Sequence, residues 1–181
     1  TGARENVIST PWCVDNTIGL RLSDGHNQIT DPHCDNCTTG ITCDGSASKA
    51  TIMGGHIFES TIGVDLDDGS KFSIDGTYFD QCTTGIDVAT AVDEDVSITN
   101  CKFDLNTSGV GINWAGGTNS YSTVYGNRFR DDGGLGVPIQ GTLGGWAMYG
   151  SNWYNVTSKD DPYGGNNFKP AAAPFKGDQL G

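Results

Sequence analysis

Four aspartates of this chain have the spacing that carboxylate chemistry would need. Asp65 and Asp67 are two residues apart, which on an extended strand puts both side chains on one face. Asp44 and Asp87 lie about twenty residues to either side. If the chain folds back on itself with that period, Asp65 stacks on Asp87 and Asp44 stacks on Asp67. Neighbours in such a patch would be ~5–7 Å apart. Like charges that close raise each other's pKa. Paired carboxylates at ~5–9 Å are also the equipment of glycoside hydrolysis. An oxygen-rich cluster can instead hold calcium, with no other cofactor expected. Aspartates on a polar outer surface can also simply face water. Arg21 is the one cation on the same set of strands. A lyase wants a cation for the uronate and a basic group for the proton, so the patch speaks against a lyase.

A second signal is aromatic. Trp114, Tyr121, Tyr125, Trp146, Tyr149, Tyr154 and Tyr163 crowd the last third of the chain. Tyr125 follows Val124 as Tyr149 follows Met148, so the two tyrosines are expected to stack and point outward. Exposed rings suit sugar faces, and they suit a subunit interface equally well. Tyr125, Tyr149, Trp114 and Trp146 are the candidate ligand contacts.

What must position these groups is a repeat. Gly19, Gly40, Gly63, Gly85, Gly109 and Gly136 follow at intervals of 21, 23, 22, 24 and 27, each with the pattern apolar, any, apolar after it. A second ladder pairs an apolar residue with a bulky or sulfur-bearing one five positions on. Its members are Ile8/Cys13, Ile29/Cys34, Met53/Phe58, Ile74/Phe79, Ile98/Phe103, Val124/Phe129 and Met148/Trp153. Between the partners sits a turn-compatible residue: Asp31, Gly55, Gly76, Asn100, Gly126 or Gly150. The period inside each block is two, never 3.6, so the blocks are short strands. A fixed repeat of one such unit is a solenoid. Coils ~4.8 Å apart would stack like on like, and the glycines are expected at the corners.

The coil Ile74-x-Gly76-x-x-Phe79-Asp80-x-Cys82-Thr83-x-Gly85-Ile86-x-Val88 resembles those of the right-handed parallel β-helix of the pectate-lyase superfamily. In style the chain is most similar to β-helical domains of bacteriophage tailspikes and tail fibres. The resemblance implies an all-β, single-stranded right-handed parallel β-helix of about six to seven coils of 21–27 residues over residues 1–157. Residues 158–181 then form a C-terminal cap or extended arm. It further implies a homotrimer in a virion tail, made in a bacterial cytoplasm, with bacterial surface polysaccharide and other tail proteins as partners. The same scaffold carries polysaccharide depolymerases, for which Asp44, Asp65, Asp67 and Asp87 would be the catalytic groups, and it also serves as a plain spacer. Asp31-Pro32-His33 is similar to the Asp-Pro-His signature of β-helical alginate epimerases. Gln28-Ile29-Thr30 stands where those enzymes carry a tyrosine.

With 181 residues the chain is one domain by size. Its 10 basic and 22 acidic side chains leave a net charge of −12. That disfavours nucleic acid and anionic membrane surfaces, and no apolar run is long enough to insert in a bilayer. Thr1-Gly2-Ala3-Arg4 reads as a cut through a longer polypeptide or a processed start. Of the six cysteines, Cys13 and Cys34 share a ladder rung, close enough for a disulfide. Cysteines that keep solenoid register are otherwise small core residues. Cys34-x-x-Cys37-x5-Cys43 has the look of a zinc motif, but its members fall on different strands and a bend.

Overall fold

Alternation is what makes the strands. Lys71–Asp75 runs exposed, buried, half-buried, buried, exposed, as a half-buried strand must. The computed structural model describes residues 5–45, 49–69, 71–89, 92, 95–105, 108–115, 121–131, 136–141, 146–150 and 152–155, and every regular element among them is a strand. The strands form three parallel sheets. Sheet A holds Glu5–Ser9, His26–Thr30, Lys49–Met53, Lys71–Asp75, Val96–Thr99, Tyr121–Tyr125 and Trp146–Gly150. Sheet B holds Trp12–Val14, His33–Asp35, His56–Phe58, Tyr78–Asp80, Lys102–Leu105, Arg128–Asp131 and Trp153–Asn155. Sheet C holds Ile18–Ser23, Thr39–Asp44, Ile62–Leu66, Thr84–Val88, Val110–Trp114 and Val137–Gly141. Successive strands visit A, B and C in turn, so the chain is a parallel β-helix. Residues 158–181, the expected cap or arm, lie outside the described residues.

Each sheet sends one column inward. In A it is Ile8, Ile29, Ile52, Ile74, Ile98 and Val124. In B it is Cys13, Cys34, Ile57, Phe79, Phe103 and Phe129. In C it is Leu20, Ile41, Val64, Ile86, Ile112 and Ile139. The rings of Phe79, Phe103 and Phe129 stack at 4.9 and 4.7 Å, 7° from parallel. Four expected ladder members stand one residue out of register. Ile52 and Ile57 face inward where Met53 and Phe58 were expected, because they pair in unbroken register with Ile29 and Ile74 and with Cys34 and Phe79. In the last coil, Tyr149 aligns with Val124 and Tyr154 with Phe129, one residue away from Met148 and Trp153.

The glycine column also needs correction. It runs Gly19, Gly40, Gly63, Gly85, Gly111, with Pro138 next, since Thr84 pairs with Val110 and Ile86 with Ile112. Gly109 and Gly136 stand two residues early, a shift that preserves which face each residue takes. These glycines lie within strands, not at corners. A Cβ on Gly85 would fall 2.6 Å from the carbonyl oxygen of Gly111 and 2.8 Å from the Phe103 ring. Only hydrogen fits where backbone and aromatic stack approach this closely. The corners are taken by left-handed residues: Asp31, Gly54, Gly76, Asn100 and Gly126 between A and B, and Asp15, Asn36, Glu59 and Gln81 between B and C.

All six cysteines are free thiols, Cys13 and Cys34 included. Cys34, Cys37, Cys43, Cys82 and Cys101 are buried in the core. Burial pushes the thiols of Cys34, Cys82 and Cys101 up to about 12.

Candidate functional site

Period two along each strand of sheet C leaves a second column facing out. Arg21, Thr42, Asp65, Asp87, Asn113 and Gln140 succeed one another in register. Asp44 lies in register with Ser23, one rung above the end of the strand that carries Asp65. The Asp67 N–H bonds the Cys43 carbonyl at 3.0 Å, which sets Asp67 beside Asp44. The fold thus gathers all four predicted aspartates on one face.

Their environments differ. Asp44 accepts from Arg21 Nε at 2.8 Å and from Ser23 Oγ at 2.7 Å, and the Arg21 bond chiefly holds its carboxyl below the usual range. Asp87 accepts from Asn113 Nδ2 at 2.8 Å. Asp65 has neither kind of support. Burial first, then the charges of Asp67, Asp87 and Asp44, push it up to about 6. Asp44, held below the usual range, and Asp65, poised near neutrality, are two carboxyls pushed apart by their surroundings, as acid–base chemistry requires. Together with Thr42, Asn113 and Gln140 they also make a rail of short polar groups that can hydrogen-bond successive hydroxyls of an extended ligand.

The aromatic candidates do not join this patch. Trp114 is buried at 1% exposure, at an inward position of sheet C, and its indole is closed to a ligand. Tyr125 is 44% exposed but belongs to sheet A. It aligns with Gly150, whereas Tyr149 aligns with Val124 and Trp146 with Tyr121, so the two tyrosines share no rung position. A ligand lying between one aspartate patch and one tyrosine strip therefore has no single face to lie on.

Sheet B carries an outward ladder that spacing alone did not reveal: Trp12, His33, His56, Tyr78, Lys102 and Arg128. Trp12 stacks on His33 at 5.3 Å and His56 on Tyr78 at 4.7 Å. The Lys102 ammonium lies 3.8 Å from the Tyr78 ring centroid. His56 and Tyr78 use one face each on the other, while Trp12 stays 75% exposed. His33 sits 3.8 Å from Asp31, whose left-handed backbone is that of an ordinary corner. The signal was available in retrospect, because each of these residues stands one position before an inward ladder member.

Copper can be tested against this inventory. Soft copper sites want converging thiolates, thioethers or imidazoles. The five buried cysteines belong to the packed core, and the raised thiols of Cys34, Cys82 and Cys101 are protonated at neutral pH. His33 and His56 are neighbours on sheet B, while His26 is on sheet A. Among the described residues no group of three or more His, Cys, Asp or Glu could hold a metal ion. These residues do not fit a copper centre.

Three parallel sheets closed around ladders of like residues define the chain as a parallel β-helix protein. The family model described as "Periplasmic copper-binding protein (NosD)" matches residues 2–168, and the chain belongs to that family. No curated protein and no solved structure matches it.

Proposed function

We propose that this β-helix is a glycan-binding module acting outside the cytoplasm, with bacterial surface polysaccharide lying along the outer face of sheet C. The observation that carries the reading is the in-register rail Thr42, Asp65, Asp87, Asn113 and Gln140. Short carboxylates, amides and a hydroxyl at ~4.8 Å steps match the closely repeated hydroxyls of an extended saccharide. The family's description as periplasmic favours a place outside the cytoplasm. Its description as copper-binding does not extend to this chain in our reading, because the described residues offer no such donor set. The coil pattern's likeness to the pectate-lyase superfamily and to phage tailspikes and tail fibres supports a receptor-binding domain of a homotrimeric virion tail, joined to other tail proteins. Binding of the full chain to an array of bacterial surface polysaccharides tests the reading. Asp65→Asn and Asp87→Asn should each weaken a positive signal about tenfold, the worth of one charge-assisted hydrogen bond. An array with no signal, or one that both variants leave untouched, overturns it.

A second reading is a polysaccharide hydrolase on the same face. It is favoured by Asp65, which burial and the nearby Asp67 and Asp87 raise to about 6, the direction in which a general acid is tuned. Release of reducing ends from a bound polysaccharide, abolished by Asp65→Asn or Asp67→Asn, would establish it. Binding without release leaves the module an adhesin.

A further inference from the structure

The first coil is held from one side. Its strands Glu5–Ser9, Trp12–Val14 and Ile18–Ser23 stand at the edge of all three sheets, each with one partner among the described residues. Trp12–Val14 runs exposed, half-buried, exposed, whereas the centre of its neighbour His33–Asp35 is buried. Val7, Trp12, Val14 and Ile18 of this coil are exposed. Short edge strands with little burial are where a fold opens first.

In sheet B two contacts on one rung fasten this coil to the next. Outside, Trp12 stacks on His33 at 5.3 Å. Inside, Cys13 stands directly opposite Cys34. Partners on neighbouring parallel strands are ~4.8 Å apart at Cα, inside the ~4.4–6.8 Å that a disulfide accepts. The two thiols are near enough to act as hydrogen-bond partners for one another. Both side chains also border one point beside Gly19, where an added Cβ would lie 3.1 Å from Cys13 Cβ and 3.3 Å from Cys34 Sγ. Glycine keeps that point free of a side chain, so the sulfurs have room to turn toward each other. Cys43, by contrast, stands opposite Leu22 and Leu66. Cys13 is half-buried while the other five cysteines are buried, so a reagent from solvent meets this thiol first.

We propose that Cys13 and Cys34 are an oxidation site, which a disulfide-bearing oxidant closes into a bridge tying the first coil to the second. Cys13, as thiolate, attacks one sulfur of the oxidant, and one oxidant thiolate leaves. Cys34 then gives its proton to solvent and attacks Cys13 Sγ, and the second oxidant thiolate leaves with the electron pair. Two protein thiols and one disulfide become one protein disulfide and two thiols. Closure gives up the weak 3.5 Å bond from Cys34 Sγ to the Gly40 carbonyl, and any backbone adjustment falls on a three-residue edge strand. The bridge closes a loop of about twenty residues, which removes freedom from the unfolded chain. Burial raises both thiols, Cys34 to about 12, so exchange is slow at neutral pH and quickens as pH rises. Such bridges persist outside the cytoplasm, but the chemistry here depends neither on that location nor on what sheet C binds.

The test treats the reduced full chain, without denaturant, with glutathione disulfide at about pH 8.5. Non-reducing peptide mapping and thermal melts read the outcome. The expected product links Cys13 to Cys34 and melts about 5 °C or more above the reduced protein, a gain that dithiothreitol abolishes. Cys34→Ser should stop at a glutathione adduct on Cys13 and show no such rise. Cys13→Ser, at the half-buried member, should fold as the parent and form neither bridge nor adduct. Cys37→Ser should still close the bridge. A bridge that takes Cys37 in place of Cys34, adducts without a bridge, or closure that needs urea overturns the site. A Cys13–Cys34 bridge that leaves the melting temperature unchanged or lowers it overturns its role as a tie.

Discussion

Tyr78 Oη donates a 2.6 Å hydrogen bond to Asp104 Oδ2, across one rung of sheet B. Asp104 is 4% exposed, and Lys102 at 3.1 Å and Arg130 at 3.4 Å approach the same oxygen. Burial opposes the charge on Asp104, but the bonds from Tyr78 and Lys102 and the nearby cations outweigh it and hold its carboxyl below the usual range. A folded pKa below the unfolded value of 3.8 means that the folded state favours the carboxylate. The stabilisation is therefore complete above the unfolded value and is lost as pH falls through the folded one. Tyr78→Phe should cost about 1.5–3 kcal/mol at pH 7, the worth of a hydrogen bond to a charged group. Most of that loss should vanish when urea midpoints are compared at a pH low enough to protonate Asp104 in the folded protein. An equal loss at both pH values would show that Tyr78 acts by packing alone.

Asp65 runs the opposite way. Its folded pKa, about 6, lies above its unfolded value of 3.8, so the folded state favours the neutral acid. The destabilisation is absent below the unfolded value, grows as pH rises from about 4 to 6, and is full above that. Asp65→Asn should raise stability by about 1 kcal/mol at pH 7, after allowing for solvent screening of a half-exposed group. It should do nothing at pH 3.5. Thermal melts at the two pH values check this, and a stabilised variant that no longer binds glycan is the behaviour of a strained functional group.

The glycine column makes a steric prediction. Gly85→Ala drives a methyl against the Gly111 carbonyl and the Phe103 ring, and overpacking of this kind should cost about 2–3 kcal/mol. Phe103→Ala removes the middle ring of the stack and should cost about 3–5 kcal/mol. The double variant should lose less than the sum, because the alanine methyl enters the space the ring vacates. Chemical denaturation of the three proteins settles the coupling. Full additivity would mean that glycine and ring do not meet.

The solenoid was legible because one coil nearly repeats the next, and period two tells inside from outside. A register error of two residues, as at Gly109 for Gly111, therefore left Ile112 correctly inside. An error of one does not forgive: Phe58 was expected in the core and is half-buried, while Ile57 is buried. The irregular step betrays it, since Phe58 precedes its glycine by five residues where Cys13, Cys34, Phe79 and Phe103 precede theirs by six. Ile57 restores the six. Trp114 was misplaced for the related reason that its strand begins two residues later than the glycine pattern implied. The aspartate patch was readable because all four residues lie in regular strands or directly after one. The sheet B ladder was overlooked because Trp, His, Tyr, Lys and Arg succeed one another there with no shared residue type, so only their fixed place before each inward ladder member marks them as one column.

The thiols give the last test. Cys34, Cys82 and Cys101 each sit in the core with the pKa raised to about 12, chiefly by burial. A thiolate is both the nucleophile and the soft-metal ligand, and at pH 7 a thiol of pKa 12 is thiolate in about one molecule in 10⁵. Native protein should therefore react slowly with a thiol-specific reagent, with Cys13 at the half-open end of the column modified first. Urea should release the others together, in step with unfolding. Equimolar Cu(I) under anaerobic conditions should leave the melting temperature of the native protein unchanged, since stabilisation by a ligand requires preferential binding to the folded state. A rise of several degrees with copper would show that the chain holds the metal after all, at donors outside this core.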